Sequence, residues 1–243
     1  KEYTQEVYLC DEDGNQVLDS RFVWKYNEHH NVSEVAQYNS NNELWEVTSY
    51  TYNDDQTLKE VTVKVAGGDF EGELKRALFY EYKDGALDQI TEIGGDYKIV
   101  TKYDDCGNPT EKHNFSGEDL VISTTMYVNI YDQGRLVEKH TVFPSGGPNW
   151  VDKFKYNDDG LLIEEQNDRS KLVSIVKHSY NEKGDLILSD FNPGEPNYET
   201  LKREIFYNEN GDIKVIKEYR KGWCYQGRND EFGLTGVAMY FYV

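Results

Sequence analysis

The sequence predicts an all-β protein, a long antiparallel up-and-down meander of repeated β-hairpins. A short turn motif recurs along the 243 residues, and the residues ahead of each copy alternate between aromatic and polar. Clusters of Gly, Pro and polar residues lie about midway between copies. The alternation indicates strands. The turn motif and the clusters of Gly, Pro and polar residues indicate turns at the two opposite ends of those strands.

The turn motif is Tyr, Asn or Asp, two variable residues, Gly, one residue, then Leu or Ile. Clear copies are YNDDGLL from Tyr156, YNEKGDL from Tyr180 and YNENGDI from Tyr207. Looser copies begin at Cys10, Tyr26, Tyr38, Tyr52 and Tyr103, and copies one residue shorter begin at Tyr82 and Tyr131. Asn or Asp caps the first turn position, and Gly takes a left-handed position. The motif therefore predicts three-residue hairpin loops with a bulge, and two-residue primed turns in the short copies.

The predicted turns fix which side chains meet across each hairpin. In both loop lengths the motif Tyr lies opposite the motif Leu, so Tyr156 faces Leu162 and Tyr82 faces Leu87. Phe22, Trp24 and Tyr26 alternate ahead of one motif, which predicts an aromatic face on the incoming strand.

The opposite turns complete the meander. They are predicted at 66–72, 94–96, 114–119, 145–149, 167–171, 192–197 and 220–222. Before Tyr52 the copies lie only 12 to 16 residues apart, so there the motif serves both ends alternately. About 18 strands of about seven to nine residues result, and so long a sheet is expected to coil into a superhelical sheet or an incomplete barrel. Residues 71–78, EGELKRAL, also have helical spacing, which leaves a helix as the alternative there.

The whole chain, 1–243, is predicted to be one domain, with 219–243 as a C-terminal cap. Its last segment, VAMYFYV at 237–243, is interpreted as a final strand that covers the edge of the sheet.

Composition narrows the function classes. The net charge of −19 repels phosphate backbones, so nucleic acid is not an expected partner. The three cysteines lack zinc-type spacing, and no apolar run approaches the roughly 20 residues of a transmembrane helix. The 20 tyrosines suit thin sheets, because a Tyr ring buries area while its hydroxyl stays hydrated.

The motif Y-[DN]-x-x-G-x-L resembles the YD (Rhs-type) repeat of bacterial surface and toxin proteins, over nearly the entire chain. The usual Arg after Gly occurs once, at Gly134-Arg135, and the 243 residues contain no toxin core. What remains is similar to the short, stand-alone YD-type lipoproteins of Bacteroidetes. The resemblance implies a bacterial, exported, non-enzymatic scaffold at the cell surface (outer membrane) or in the periplasm, and a lipid anchor ahead of Lys1 is compatible with it.

No catalytic residue, metal ligand or cofactor is predicted. Acids two positions after the motif Leu stand at Glu34, Glu60, Glu111, Glu138 and Glu164. Successive copies are roughly 10 Å apart, where repulsion in water is about 0.4 kcal/mol, so a solvated row is favoured over a metal row. The turn aspartates do not match a calcium-loop spacing and are explained as turn caps, with weak calcium binding as the alternative. The strand histidines His113, His140 and His178 are expected to be satisfied or solvent-facing. A glycoside hydrolase stays a remote alternative, since 45 acids make some carboxylate pair inevitable.

The aromatic surplus carries the functional hypothesis. Trp24 and Trp45 lie in strand phase and are expected to be packed, whereas Trp150, Trp223 and Tyr225 are better placed to be exposed and to bind ligand. We therefore expect a binding or scaffold protein whose partner is a glycan or a surface protein, held on the aromatic sheet face or in the loops at 66–72, 143–150 and 192–198. The alternatives are packing of these aromatics within the sheet and, for the whole chain, a structural shell or spacer.

Overall fold

The fold is that of a computed structural model, which describes residues 1–10, 16–66, 71–117, 120–169, 172–192, 200–209, 211, 213–224 and 227–242. Residues 9, 10, 16, 172, 192, 200 and those from 220 onward are described by their backbone alone.

The described residues form antiparallel strands and no helix. The strands are β1 Glu2–Cys10, β2 Gln16–Tyr26, β3 Val32–Tyr38, β4 Leu44–Tyr52, β5 Leu58–Val65, β6 Leu74–Lys83, β7 Ala86–Gly94, β8 Tyr97–Tyr103, β9 Pro109–Ser116, β10 Leu120–Asp132, β11 Arg135–Val142, β12 Trp150–Tyr156, β13 Leu162–Arg169, β14 Leu172–Tyr180, β15 Leu186–Asn192, β16 Thr200–Tyr207, β17 Ile213–Cys224 and β18 Gly227–Tyr242. The possible helix at 71–78 is instead the turn before β6 and the start of that strand.

The strands form one meander in which each pairs with the next along the chain, as predicted. In addition β1 pairs with β18, from Tyr3 opposite Tyr242 to Leu9 opposite Gly236. The meander therefore coils until its two ends meet, and each strand has a hydrogen-bonded neighbour on both sides. The final strand, β18, pairs with β17 on one side and with β1 on the other.

The predicted hairpin register is confirmed. Tyr156 pairs with Leu162 and Tyr82 with Leu87, and the copies at Tyr26, Tyr38, Tyr52, Tyr103, Tyr131, Tyr180 and Tyr207 pair in the same way. The short copies place two successive residues at positive φ, Asp84 (52°) with Gly85 (85°) and Gln133 (48°) with Gly134 (78°), as primed turns require. Capping is also present: Oδ1 of Asn181 accepts the backbone N–H groups of Lys183 and Asp185 at 2.9 Å.

Each hairpin that begins with a motif Tyr also contains a second bulge that the sequence did not indicate. The residue directly after the motif Leu has no partner across the pair: Tyr156 faces Leu162, but Lys155 faces Glu164, so Ile163 is the extra residue. This bulge occurs in the short copies too. It moves the acid two places after Leu to the opposite face from Tyr and Leu.

The sheet is a single layer with two faces. Strands in close contact are hydrogen-bonded neighbours, and few apolar side chains are buried, among them Val61 and Val63. The accessible surface is 15,723 Å², well above the about 11,200 Å² of a compact protein of 28.3 kDa. We call the side that carries Tyr50, Tyr52 and Tyr156 the Tyr face.

Candidate functional site

Trp150 is the first residue of β12 and follows the loop 143–149. That loop begins with a turn in which the N–H of Gly146 donates to the carbonyl of Phe143 at 3.0 Å. Trp150 pairs with Thr141 of β11 and is 37% exposed. The loop therefore brings a partly exposed indole to the end of the strands opposite the Tyr156 turn.

Two side chains contact the indole ring. The Phe143 ring lies edge-on, with centroids 4.9 Å apart and planes at 76°. The guanidinium carbon of Arg169 lies 4.9 Å from the Trp150 centroid, within the range of a cation–π interaction. The result is a rigid surface that combines an aromatic ring with a cation.

A buried carboxylate lies next to this pair. Asp152 is 4% exposed; its Oδ2 lies 3.0 Å from Nζ of Lys139, and its Oδ1 lies 2.7 Å from Nη1 of Arg169. Although Nη1 is close, Oδ1 has no well-aligned hydrogen bond from it, so this contact is an ion pair and not a good hydrogen bond. Among the described residues, Asp152 and Thr141 are the polar ones that are buried, and both lie here.

Strand register assembles these residues on the Tyr face. Lys139 pairs with Asp152, and Asp152 pairs with Asn167 two residues before Arg169. Alternation along β12 places Trp150 and Asp152 on the side of Tyr156. We call Lys139, Phe143, Trp150, Asp152 and Arg169 the Trp150 cluster. It carries two cations and one buried anion, a local excess of one positive charge in a chain with net charge −19.

The other predicted aromatic residues lie elsewhere. Trp223 belongs to β17, where its backbone pairs with Arg228, but its side chain lies outside the described part, as does Tyr225 entirely. Trp24 is half-buried, in keeping with the expected packing. The expectation for Trp45 is wrong: it is 57% exposed, because it is the extra residue of the bulge after Leu44 and has no partner on β3.

The row of acids after the motif Leu binds lysines in several copies. Glu34 lies 2.6 Å from Lys25, Glu111 lies 3.0 Å from Lys102, and Glu164 lies 2.5 Å from Lys155. Each Lys directly precedes a motif Tyr, and the bulge after Leu brings Glu opposite it. Within the described residues there is no group of three or more metal-ligating side chains.

The strand histidines contact carboxylates, and one forms a Ser–His–Glu triplet. Nδ1 of His178 is 3.0 Å from Oγ of Ser189, and Nε2 is 3.0 Å from Oε1 of Glu165. Covalent catalysis would also need free N–H donors for an oxyanion. Since Ser189 lies within β15, between β14 and β16, its backbone is engaged in sheet pairing. We interpret the triplet as a structural hydrogen-bond network.

A groove of about 550 Å³ lies between the turns at 27–31 and 53–57, lined by residues that include His29, Tyr50, Tyr52 and Gln56. It brings together turn residues that already bond one another, as Asn31 Nδ2 does with Gln56 Oε1 at 3.1 Å. We take the Trp150 cluster as the better candidate binding site, because it contains the buried carboxylate of Asp152 and lies next to the buried Thr141.

Comparison with known proteins shows a likeness of fold. A porin-like protein from Bacteroides uniformis matches with a TM-score of 0.50 and 11% identity, over 99% of this chain and 95% of that chain. The Photorhabdus luminescens Tc holotoxin pore matches with a TM-score of 0.36 and 10% identity, over 92% of this chain and 16% of that one. No protein-family model matches the sequence, and neither does any curated protein. A helix long and apolar enough to span a membrane is absent from the described residues.

Sequence reasoning selected Trp150 but missed its partners. Lys139 and Arg169 lie on neighbouring strands, and their meeting at Asp152 depends on the bulges in β11 and β13. Without the bulge at Ile163, counting back from Tyr156 opposite Leu162 would place Gln166 beside Asp152, so the sequence offered no signal for the observed pairing with Asn167.

Proposed function

We propose that this chain is a non-catalytic binding scaffold of a bacterial cell surface or periplasm, and that it binds carbohydrate through the Trp150 cluster. The observation that carries the proposal is the partly exposed indole of Trp150 beside a buried, ion-paired carboxylate at Asp152. Sugar sites combine a flat aromatic surface with fixed polar groups, and this cluster supplies both.

The rest of the molecule supports a scaffold. One layer of hydrogen-bonded strands offers a large surface and holds the cluster rigidly, because Trp150, Asp152 and Arg169 all lie within strands. The exported, surface-associated location rests on the YD-type turn motif, and the fold shared with a porin-like bacterial protein is in keeping with it.

A glycan array tests the proposal. The chain is expected to bind a defined group of glycans, and Trp150→Ala is expected to abolish those signals. Trp45→Ala is the matched control, because it removes an exposed Trp on the distant strand β4 and should leave binding intact. Glycan signals that survive Trp150→Ala would reject the cluster as the binding site.

The second candidate is a purely structural shell or spacer, which the single-layer architecture favours. It predicts a folded chain that gives no signal on the array and no change on substitution of Trp150. That outcome would replace the binding proposal.

A further inference from the structure

We infer that the Trp150 cluster selects an acidic sugar, whose carboxylate is bound by Arg169 and Lys139 while the sugar ring packs against Trp150. This inference rests on the proposed function and adds the chemical class of the ligand.

The Trp150 cluster has an excess of positive charge. Lys139 and Arg169 share the single carboxylate of Asp152, which leaves one positive charge without a counter-ion inside the cluster. The side chains of Lys139 and Arg169 are 25% and 34% exposed, whereas that of Asp152 is 6% exposed. A ligand that reaches the cluster therefore meets the two cations before the anion.

The guanidinium of Arg169 makes only long or poorly aligned hydrogen bonds within the described part of the protein. Its Nη1 is 3.3 Å from the carbonyl of Asp168, and its Nη2 is 3.4 Å from Oδ1 of Asn167. Both contacts are longer than a typical N–H···O hydrogen bond of 2.7–3.2 Å, and the pairing with Asp152 is poorly aligned. The guanidinium therefore has donor capacity for a planar carboxylate, which it can bind through two parallel hydrogen bonds.

The surrounding Tyr face does not cancel this charge. The nearest acid along β13 on that face is Glu165, which binds His178 at 3.0 Å. The register neighbours on the outer sides are neutral, with Asn129 opposite Lys139 and Ser174 opposite Asn167, but Asn129 also donates to the carboxylate of Asp104 at 2.9 Å. A row of polar side chains, Asn129, Lys139, Asp152, Asn167 and Ser174, thus crosses five adjacent strands on the Tyr face.

The row has room for more than one sugar. Adjacent strands are about 4.8 Å apart, so the row spans about 19 Å. An oligosaccharide with a carboxylate at the Arg169 position fits this arrangement.

Matched ligands test the inference on the unaltered protein. Binding of an oligogalacturonate and of its methyl ester would be compared by isothermal titration calorimetry. Loss of a charge-assisted bond predicts that the ester binds about tenfold more weakly or worse. Equal affinity for both forms, abolished in both by Trp150→Ala, would overturn the acidic-sugar inference and keep the proposed carbohydrate function.

Substitution of the cation gives the second arm. Arg169→Gln is expected to weaken binding of the acid about tenfold and to leave binding of the ester unchanged. Arg203→Gln is the control, because Arg203 also lies on the Tyr face but pairs with Glu218 at a distance from the cluster. If neither ligand binds and the glycan array is also silent, the inference and the carbohydrate function fail together.

Discussion

The motif tyrosine does more than face a leucine, because its hydroxyl joins successive hairpins. Tyr156 donates to the carbonyl of Leu136 at 2.9 Å, and Tyr180 donates to the carbonyl of Leu162 at 2.7 Å. The same contact joins Tyr52 to Val32 and Tyr207 to Leu186. Each acceptor belongs to the preceding hairpin at that end of the sheet. This explains why Phe, which would pack equally well, is not the repeated residue.

Tyr156→Phe tests the hydrogen bond between successive hairpins. The substitution keeps the ring but leaves the carbonyl of Leu136 without its donor, so we expect the free energy of unfolding to fall by about 1 to 2 kcal/mol in urea titrations. Tyr97→Phe is the control, because Tyr97 is 41% exposed and donates to the side chain of Glu92. An equal loss of unfolding free energy in both variants would show that the hydrogen bond from Tyr156 to Leu136 adds no stability beyond that of an exposed Tyr hydroxyl.

The hydroxyl of Tyr131 bonds to side chains of the preceding hairpin and not to a backbone carbonyl. Its hydroxyl donates to Oδ2 of Asp104 at 2.5 Å and accepts from Nδ2 of Asn108 at 2.8 Å, while Asn129 donates to the carbonyl of Pro109. Burial, followed by the hydrogen bond to Asp104, raises the pKa of Tyr131 to about 12. Burial alone would raise the pKa of Asp104, but the hydrogen bonds from Tyr131, Asn108 and Asn129 outweigh it and hold that pKa below its ordinary value.

A depressed pKa at Asp104 predicts a specific pH dependence. Since the folded chain favours the carboxylate, its stabilisation is complete above the unfolded pKa of about 3.9 and is lost as the pH falls through the folded value. Asp104→Asn keeps the turn cap but places an amide against the Asn129 amide. We expect the native chain to exceed this variant in unfolding free energy at pH 5 to 7 and the gap to narrow below about pH 4.

Urea titrations across this pH range measure the gap. Asp105→Asn, next to Asp104 in the same exposed turn, removes the same charge and is the control. Parallel stability profiles for native and Asp104→Asn chains from pH 7 to pH 3 would contradict the assignment.

At the scale of the hairpin, much of the structure follows from the sequence, because the information is local. Asn181 and Gly184 define their turn by capping and by backbone conformation, and the turn then fixes Tyr180 opposite Leu186. The bulge after Leu could not be predicted in this way. The bulge position holds residues as different as Ser33, Asp88 and Ile187, so it has no side-chain signature and is visible only in the pairing.

The candidate site shows the same limit. The Pro and Gly of the loop 143–149 and the exposed position of Trp150 are local features, and both were predicted. The ion pairs of Asp152 join three strands and depend on two bulges, so no local pattern reveals them.

The left-handed position of the turn supports a test within one hairpin. Gly184 has φ of 86°, and a Cβ there would meet only Leu161 at 3.9 Å, so strain and not crowding decides the outcome. Gly184→Ala is expected to cost about 1 to 2 kcal/mol in unfolding free energy. Gly184→Asn is expected to cost clearly less, because Asn42 holds the equivalent position at φ of 63°. Equal midpoints for the two variants in a urea titration would contradict this explanation.

At the scale of the whole molecule, the pairing of β1 with β18 replaces a deep core as the source of a defined shape. Buried apolar residues such as Val63 and Ala77 are few in the described part, and the sheet is one layer thick. An open sheet of this length would present two edge strands that invite association with other chains. The β1–β18 pairing engages both, and it places Tyr3 opposite Tyr242.

Circular permutation tests that closing contact. Tyr3 lies opposite Tyr242, and the carbonyl of Lys1 accepts a hydrogen bond from the N–H of Tyr26 at 3.0 Å, so Val243 can be joined to Lys1 by a short Gly-containing linker that acts as one more hairpin turn. New termini between the exposed Glu182 and Lys183 would open an existing turn. One short loop is then exchanged for another, and the unfolding free energy should change by no more than about 1 kcal/mol. The control permutant opens between Tyr127 and Val128 inside β10, where it interrupts pairing with β11 and should prevent folding. Circular dichroism and urea titration distinguish the two, and if the first permutant is as unfolded as the second, the two ends of the meander do not meet.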